Sequence, residues 1–200
     1  MENATAAPDR RSSRSEATQA RIISVAKTAF ANDGYAGASL AEIVRQADVT
    51  TGAVYHHFKD KKGLFRAVAE ALEQEIMDHV TELPPREDPW ETFIQGIGAT
   101  LEICARPDIN RIVFKEAPSV IGPAEWREIE VQYAFGMMQA AISGLADAGA
   151  MDAPDPDLTS QIILGSIIEA AHAVASAPVT EIALEDAKSA VLKMITALRT

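Results

Sequence analysis

Cysteine is almost missing from this chain: Cys104 is the one thiol in 200 residues. That excludes a disulfide framework and any thiolate zinc site built within a single chain, and a reducing cytoplasm is the expected compartment. Glycine (11) and proline (10) are too few for a linker or a fibre. Strand signals are lacking, with no long apolar–polar alternation and no Asn-Gly pair between β-branched runs. The first twenty residues hold Arg10, Arg11 and Arg14 but no apolar run, so a secretory signal is not expected. The densest apolar stretch, Ile162 to Ile168, is fenced by Gln161 and Glu169 and is too short to span a bilayer. A nucleophile elbow, a Walker loop, a dinucleotide fingerprint and a zinc-binding HExxH are all absent. The expectation is a soluble protein that is not an enzyme and needs no cofactor.

What is present is an ordinary globular composition, 48% hydrophobic and 24% charged. The net charge of −11 hides a split. Residues 10–66 carry ten basic and five acidic side chains, a balance of +5, whereas residues 67–200 carry eight basic and 22 acidic, a balance of −14. A basic amino-terminal quarter on an acidic body points to a polyanion-binding head carried by a different module.

Periodicity predicts an all-α chain of about nine helices, read as an N-terminal three-helix head, 16–77, and a C-terminal helical body, 78–200, after a disordered arm, 1–15. The first helix puts Ile22, Val25, Ala26, Ala29 and Phe30 on one face and ends at Asn32-Asp33-Gly34, where glycine can take a positive φ. Ser39-Leu40-Ala41-Glu42 reads as a capping box opening a short helix that buries Leu40, Ile43 and Val44. Thr50, another N-cap type, opens a second short helix ending near Phe58, and Asp60 caps a long one carrying Leu64, Phe65, Val68, Leu72 and Ile76 inward. Pro84-Pro85 and Pro89 mark the boundary beyond it. Further helices are expected near 89–105, 108–117, 123–148, 156–176 and 180–198, separated by Pro107, Pro118 with Gly122-Pro123, the stretch from Gly149 to Pro156, and Pro178.

The segment 158–176 is apolar nearly all round, and such a helix must be covered on several sides. With the last helix it is expected to form a four-helix dimer interface through Ile163, Ile167, Val174, Val191, Ile195 and Leu198. The competing reading is that both helices merely cover their own core.

Two short helices separated by a tight break form a helix-turn-helix, whose second helix lies in the major groove of DNA. Val54 and Phe58, four apart, face inward, leaving Thr50, Thr51, Ala53, Tyr55, His56 and His57 for the outer face and its flanks. Gly52, without a side chain, lets the helix start approach a phosphate closely.

The run Thr51-Gly52-Ala53-Val54-Tyr55-His56-His57-Phe58, followed by Lys59-Asp60-Lys61-Lys62-Gly63-Leu64-Phe65, resembles the TetR family of bacterial transcriptional regulators. The likeness covers residues 17–77 in motif detail. Beyond them it rests on the helix plan, on Glu116-Ala117-Pro118 and on Trp126-Arg127-Glu128-Ile129. One departure is Asp48, where many members carry glycine; aspartate tolerates the left-handed conformation the turn needs. The resemblance implies that Ser39 and Thr50 cap helices and reach phosphates, and that Thr51 and Ala53 face base edges. It implies phosphate contacts for Tyr55, His57, Lys61 and Lys62, with His56 reaching either a base or a phosphate. Arg10, Arg11 and Arg14 are then an arm along the duplex or a solubilising tail. The implied protein is a homodimeric repressor on a near-palindromic operator, released by a small-molecule effector, cytoplasmic and associated with the nucleoid when bound.

An apolar chamber in the body is expected to take that effector, with Phe93, Ile97, Phe114, Trp126, Tyr133, Met137 and His172 as candidate contacts. An ordinary helical core uses the same residue types. Two other functions compete. Glu169 and His172 have the Glu-x-x-His spacing of a metal-dependent helical oxidase, although that site needs two such motifs and two more glutamates. A basic head on a helical body also suits an adaptor that binds an acidic protein surface. His56 and His57, being adjacent, are not expected to share a metal ion. Cys104, in an apolar helix, is expected to be inert packing.

Overall fold

The structure, a computed structural model, describes the backbone from Arg10 and side chains from Arg14 through Thr200. Among the described residues there is no strand, only a lone antiparallel bridge between Met151 and Arg199. The helical chain divides into two compact units at Val68–Ala69, nearer the amino end than the expected boundary at 77. Helix α4, Lys61–Thr81, is continuous across that point.

In the first unit α1 spans Arg10–Gly37, so residues 10–15, expected as part of a disordered arm, are helical. A stretch rich in Ala, Ser and Arg without apolar periodicity looks like a tail, but nothing in it breaks a helix, and the amphipathic run behind it propagates. Residues 1–9 of the expected arm lie outside the described residues, as do the side chains of Arg10 and Arg11. Ile22, Ala26 and Phe30, spaced by four, are fully buried. Gly34 takes the expected positive φ of 72°, and the chain then adds a further turn to Gly37. Helices α2, Leu40–Gln46, and α3, Thr51–Phe58, follow. Ile43, Val54, Phe58, Leu64 and Phe65 close the core, while Leu40 and Val44 are only half-buried. Phe65 meets Phe30 and Tyr35 edge-on at centroid distances of 5.0 and 5.2 Å, a geometry that suits the ring quadrupoles.

The second unit is a helical bundle. Helix α5, Pro89–Cys104, starts where Asp88 accepts the Trp90 amide at 2.9 Å with Pro89 in the first turn. It buries Trp90, Phe93, Ile97, Leu101 and Cys104, a helical stripe. Helix α6, Pro107–Ile109, runs into a π-helical stretch, Asn110–Glu116, and then α7, Ala117–Val120. Pro118, expected as a separator, lies inside this rod. It occupies the first turn of α7, where a missing N–H is tolerated. Counting that rod as one, the described residues form nine helical rods.

Helix α8, Pro123–Asp147, begins at Gly122, whose φ is 117°. Helix α9, Pro156–Ser176, is capped by Asp155, which accepts the Leu158 amide at 3.0 Å. By length and composition alone α9 could cross a membrane. Here it packs against α8, α5, the π-helical stretch and the last helix, α10, Thr180–Thr196. The carboxy terminus is pinned by Arg199, which reaches Asp88 at 3.1 Å and lies 5.4 Å from the Trp90 ring centroid.

This packing corrects the expected interface. Ile163, Ile167, Val174, Val191 and Ile195 are 0–5% exposed within one chain, and Leu198 is half-buried against the same core. The five buried side chains have almost no surface left to offer a partner. A helix apolar all round satisfies two sides inside its own bundle, and the face left over is a different one.

Candidate nucleic-acid interface and body cavity

The break between α2 and α3 is a tight turn in which Asp48 takes φ 50°, the left-handed geometry that aspartate tolerates. Its carbonyl accepts a hydrogen bond from Arg21 Nη2 at 3.3 Å, tying the turn to α1. Ser39 caps α2 by accepting the Glu42 amide at 3.4 Å. The other half of the expected capping box does not form. Glu42 turns instead to Arg45 Nε at 2.9 Å and Gln46 Nε2 at 2.6 Å, and this pairing pulls its carboxyl down to about 2. The guanidinium and amide are stronger partners for a carboxylate than a backbone amide that solvent can satisfy.

Thr50 is extended, and its Oγ1 accepts the Ala53 amide at 3.2 Å. With Val54 and Phe58 turned inward, Thr51, Gly52, Tyr55 and His56 are exposed, and Ala53 and His57 are half-buried. Tyr55 is 52% exposed. The imidazoles of His56 and His57 lie 5.3 Å apart. The outward set is compact and ends in Lys59, Lys61 and Lys62. Lys61 is less available than its spacing implied, because its Nζ lies 4.9 Å from the Tyr35 ring centroid and 3.5 Å from the Ala36 carbonyl oxygen. Arg14 is exposed.

Gly63, part of the motif but given no role by its spacing, has one in the fold. The link from α3 to α4 bends through Lys59, at φ 66°, and Asp60 Oδ1 caps α4 by accepting the Gly63 amide at 2.7 Å. The bend drives the Phe58 carbonyl to within 1.9 Å of where a Gly63 Cβ would stand. Only glycine fits.

In the second unit a cavity of about 230 Å³ lies among α4, α5, α8 and α9, lined by Met77, Val80, Phe93, Ile97, Met137 and Met138 among others. A smaller one of about 40 Å³ adjoins it, sharing the walls Met77, Thr100, Ala134, Leu164 and Ile167 and adding Glu73, Cys104, Phe114 and Glu130. Of the candidate contacts, Phe93, Ile97 and Met137 line the larger cavity and Phe114 the smaller. Trp126, 1% exposed, and Tyr133, half-buried, line neither. His172 stands behind the wall, its ring edge-on to Phe114 at 5.2 Å.

The buried polar groups were not legible in the sequence. Glu73 and Glu130 are 5% and 4% exposed. Burial, reinforced by the charge of Glu130, pushes the Glu73 carboxyl up to about 8. Glu130 lies 3.5 Å from His172 Nε2 and 3.9 Å from Arg127 Nη1, yet its Oε1 makes no hydrogen bond. His172 Nδ1 is 3.2 Å from the Phe114 carbonyl, which can only accept, so that nitrogen carries a proton. Glu130 beside it raises the imidazole above its ordinary range, against the burial that works the other way. With His172 so engaged and Glu169 exposed, the Glu-x-x-His pair does not converge. No group of three or more histidine, cysteine, aspartate or glutamate side chains suited to a metal occurs among the described residues. Cys104 is buried, and burial followed by the two glutamates pushes its thiol well up, away from the reactive thiolate.

Residues 22–68 match the family of bacterial regulatory proteins described as the tetR family, and residues 90–198 match the tetracycline repressor-like C-terminal domain. The chain is 32% identical to a TetR-family transcriptional regulator of Pectobacterium atrosepticum, covering 94% of this chain and 97% of that one with a TM-score of 0.84. The transposon Tn10 TetC protein of Escherichia coli is 28% identical over 150 residues, 75% of this chain and 76% of that protein. The HTH-type transcriptional regulator AcrR of Shigella flexneri is 44% identical over 59 residues, 30% of this chain and 27% of that one. An exposed α3 capped at Thr50, a turn built on Asp48 and these likenesses agree: the chain is a DNA-binding transcriptional regulator rather than an enzyme, and it belongs to the TetR family.

Proposed function

We propose that this regulator is a cytoplasmic homodimeric repressor that leaves a near-palindromic operator when a small molecule fills its body cavity. The observation that carries this reading is the pairing of an exposed α3 with a largely apolar cavity of about 230 Å³ in the same chain. Thr51 and Ala53 read base edges, the alanine offering an apolar contact for a thymine methyl. Ser39, Thr50, Tyr55, His57, Lys61 and Lys62 hold phosphates, Gly52 admits the backbone to one, and His56 takes either. Phosphate contacts supply register and affinity, while the few base contacts supply specificity.

The dimer face is the surface the bundle leaves bare. Leu158 and Ile162 on α9 are 52% and 58% exposed, and Val179, Ile182 and Met194 on or beside α10 lie between 43% and 64%. On α9 the stripe continues through Gly165, Glu169 and Ala173, small enough at two of three positions for close helix approach. Two such faces related by a two-fold axis form a self-complementary interface, which sets two recognition helices about one duplex turn apart.

Helix α4 links cavity to head in sequence, carrying Leu64, Phe65 and Val68 of one unit and Glu73, Ile76 and Met77 of the other. An effector with different affinity for the two DNA-binding states changes operator affinity through it, with a coupling of about 1–3 kcal/mol. Selection of bound duplexes from a random pool tests the reading, and the expected product is a sequence with two inverted half-sites. Recovery of sequences without preference overturns it.

A further inference from the structure

We propose that the effector is an apolar primary amine, its ammonium seated against Glu73 and Glu130 in the smaller cavity and its apolar part in the wide chamber that shares five wall residues with it. The inference rests on the effector reading above and adds the chemistry of the ligand.

The wide chamber has almost no polar wall, so it binds hydrocarbon or a ring by burial. The smaller cavity is different. Its volume of about 40 Å³ admits one water-sized group, and once Glu73 is ionised its side-chain polar atoms are acceptors. Glu130 Oε1 is buried without a hydrogen-bond partner, its nearest cation being His172 Nε2 at 3.5 Å. The Glu73 side chain, 5% exposed, lines the same space. Thr100 Oγ1 donates to the Gly96 carbonyl at 2.8 Å, so the oxygen turns lone pairs to the space around it. An ammonium has three donors and no acceptor. The match is one of number and of kind.

Charge selects in the same direction. His172 Nε2, 3.5 Å from Oε1, and Arg127 Nη1, 3.9 Å from Oε2, partly offset Glu130, and the charge of Glu169 acts weakly on His172. No cation faces Glu73, and burial beside Glu130 keeps its proton on at neutral pH. A buried carboxyl without a counter-ion costs stability whichever form it takes, and a ligand ammonium supplies the missing charge. An anionic ligand meets two carboxyls and no cation on the wall. A neutral apolar ligand leaves Glu130 Oε1 without a donor. Seating the amine ionises Glu73, so binding at neutral pH releases a proton to solvent.

Calorimetric titration of the full-length chain with octylamine, octanol and octanoate at neutral pH tests this. The amine is expected to bind at least about tenfold more tightly than the alcohol, with the carboxylate weakest. Heats measured in phosphate and in Tris should differ for the amine alone, as proton release requires. Glu73→Gln and Glu130→Gln keep side-chain volume, and each should erase the preference for amine over alcohol. Alcohol or carboxylate binding as tightly as amine, or an amine heat independent of buffer, overturns the amine inference and leaves the cavity as an effector site. Binding by none of the three overturns both.

Discussion

The Phe58 carbonyl oxygen occupies the space that a Cβ on Gly63 would need, 1.9 Å away. Phe58 ends α3 and is buried, and Gly63 lies in the first turn of α4. The close approach therefore sets how the recognition helix meets the rest of its own unit. Gly63→Ala must displace backbone, not a side-chain tip. The expected loss is about 3 kcal/mol, the upper end of ordinary single substitutions. Thermal unfolding followed by helical signal checks it, and an unchanged midpoint refutes the constraint.

Lys62 is exposed beside the outward face of α3. If it neutralises a phosphate, Lys62→Ala weakens binding to every duplex and lowers the salt slope of log affinity by about 1. Lys61→Ala is expected to do this and also loosen the Tyr35 contact, lowering the melting temperature. Affinity across a salt series checks the slope for both, an unchanged slope refuting the phosphate role, and thermal unfolding separates the two.

Thr51 is the exposed first residue of α3. Thr51→Ala should relax preference at one base position per half-site, at a cost of about 1–3 kcal/mol for the preferred base. Competition between the selected operator and single-base variants measures it. Uniform weakening across all variants counts against base reading.

Ile162 and Ile163 are neighbours with opposite fates, 58% and 1% exposed. Ile162→Glu should leave the fold intact and produce monomers by sedimentation equilibrium, with operator binding lost. Ile163→Ala should instead cost about 2–5 kcal/mol of stability by opening a cavity, leaving the association state as before. A dimeric Ile162→Glu protein sinks the assigned face.

Glu73 ionises near 4.5 in an unfolded chain and at about 8 in the folded one. Between those values the folded chain holds a proton that the unfolded chain has released, so stability falls as pH rises, by at most about tenfold in the equilibrium per pH unit. His172, also raised, acts in the same sense as pH passes upward through its folded value. Glu73→Gln removes the first contribution. Its advantage in melting temperature over wild type should be least near pH 4.5 and largest near pH 8. A difference independent of pH would show that the carboxyl keeps its ordinary acidity.

The head was the more legible half because its signals are local. Capping by Ser39, Thr50 and Asp60 and the positive φ of Gly34 each depend on residues within one turn of chain. The same locality misled at Glu42, where spacing implied a reciprocal cap and Arg45 and Gln46 competed for the carboxylate. It misled again at Pro118, whose place beside a π-helical stretch no proline rule foresees.

Order along the chain settled by itself that this protein is all-α, that residues near 40–58 form a helix-turn-helix, and which side of α3 faces outward, since a period of 3.6 divides one helix into faces. Which apolar face of α9 meets its own core, and which carboxylates end up walled in without partners, depended on α4, α5, α8 and α10 closing around them. Helical period reports that a side chain needs cover. It does not report which distant element supplies that cover, and burial, charge offset and cavity shape all arise at that step.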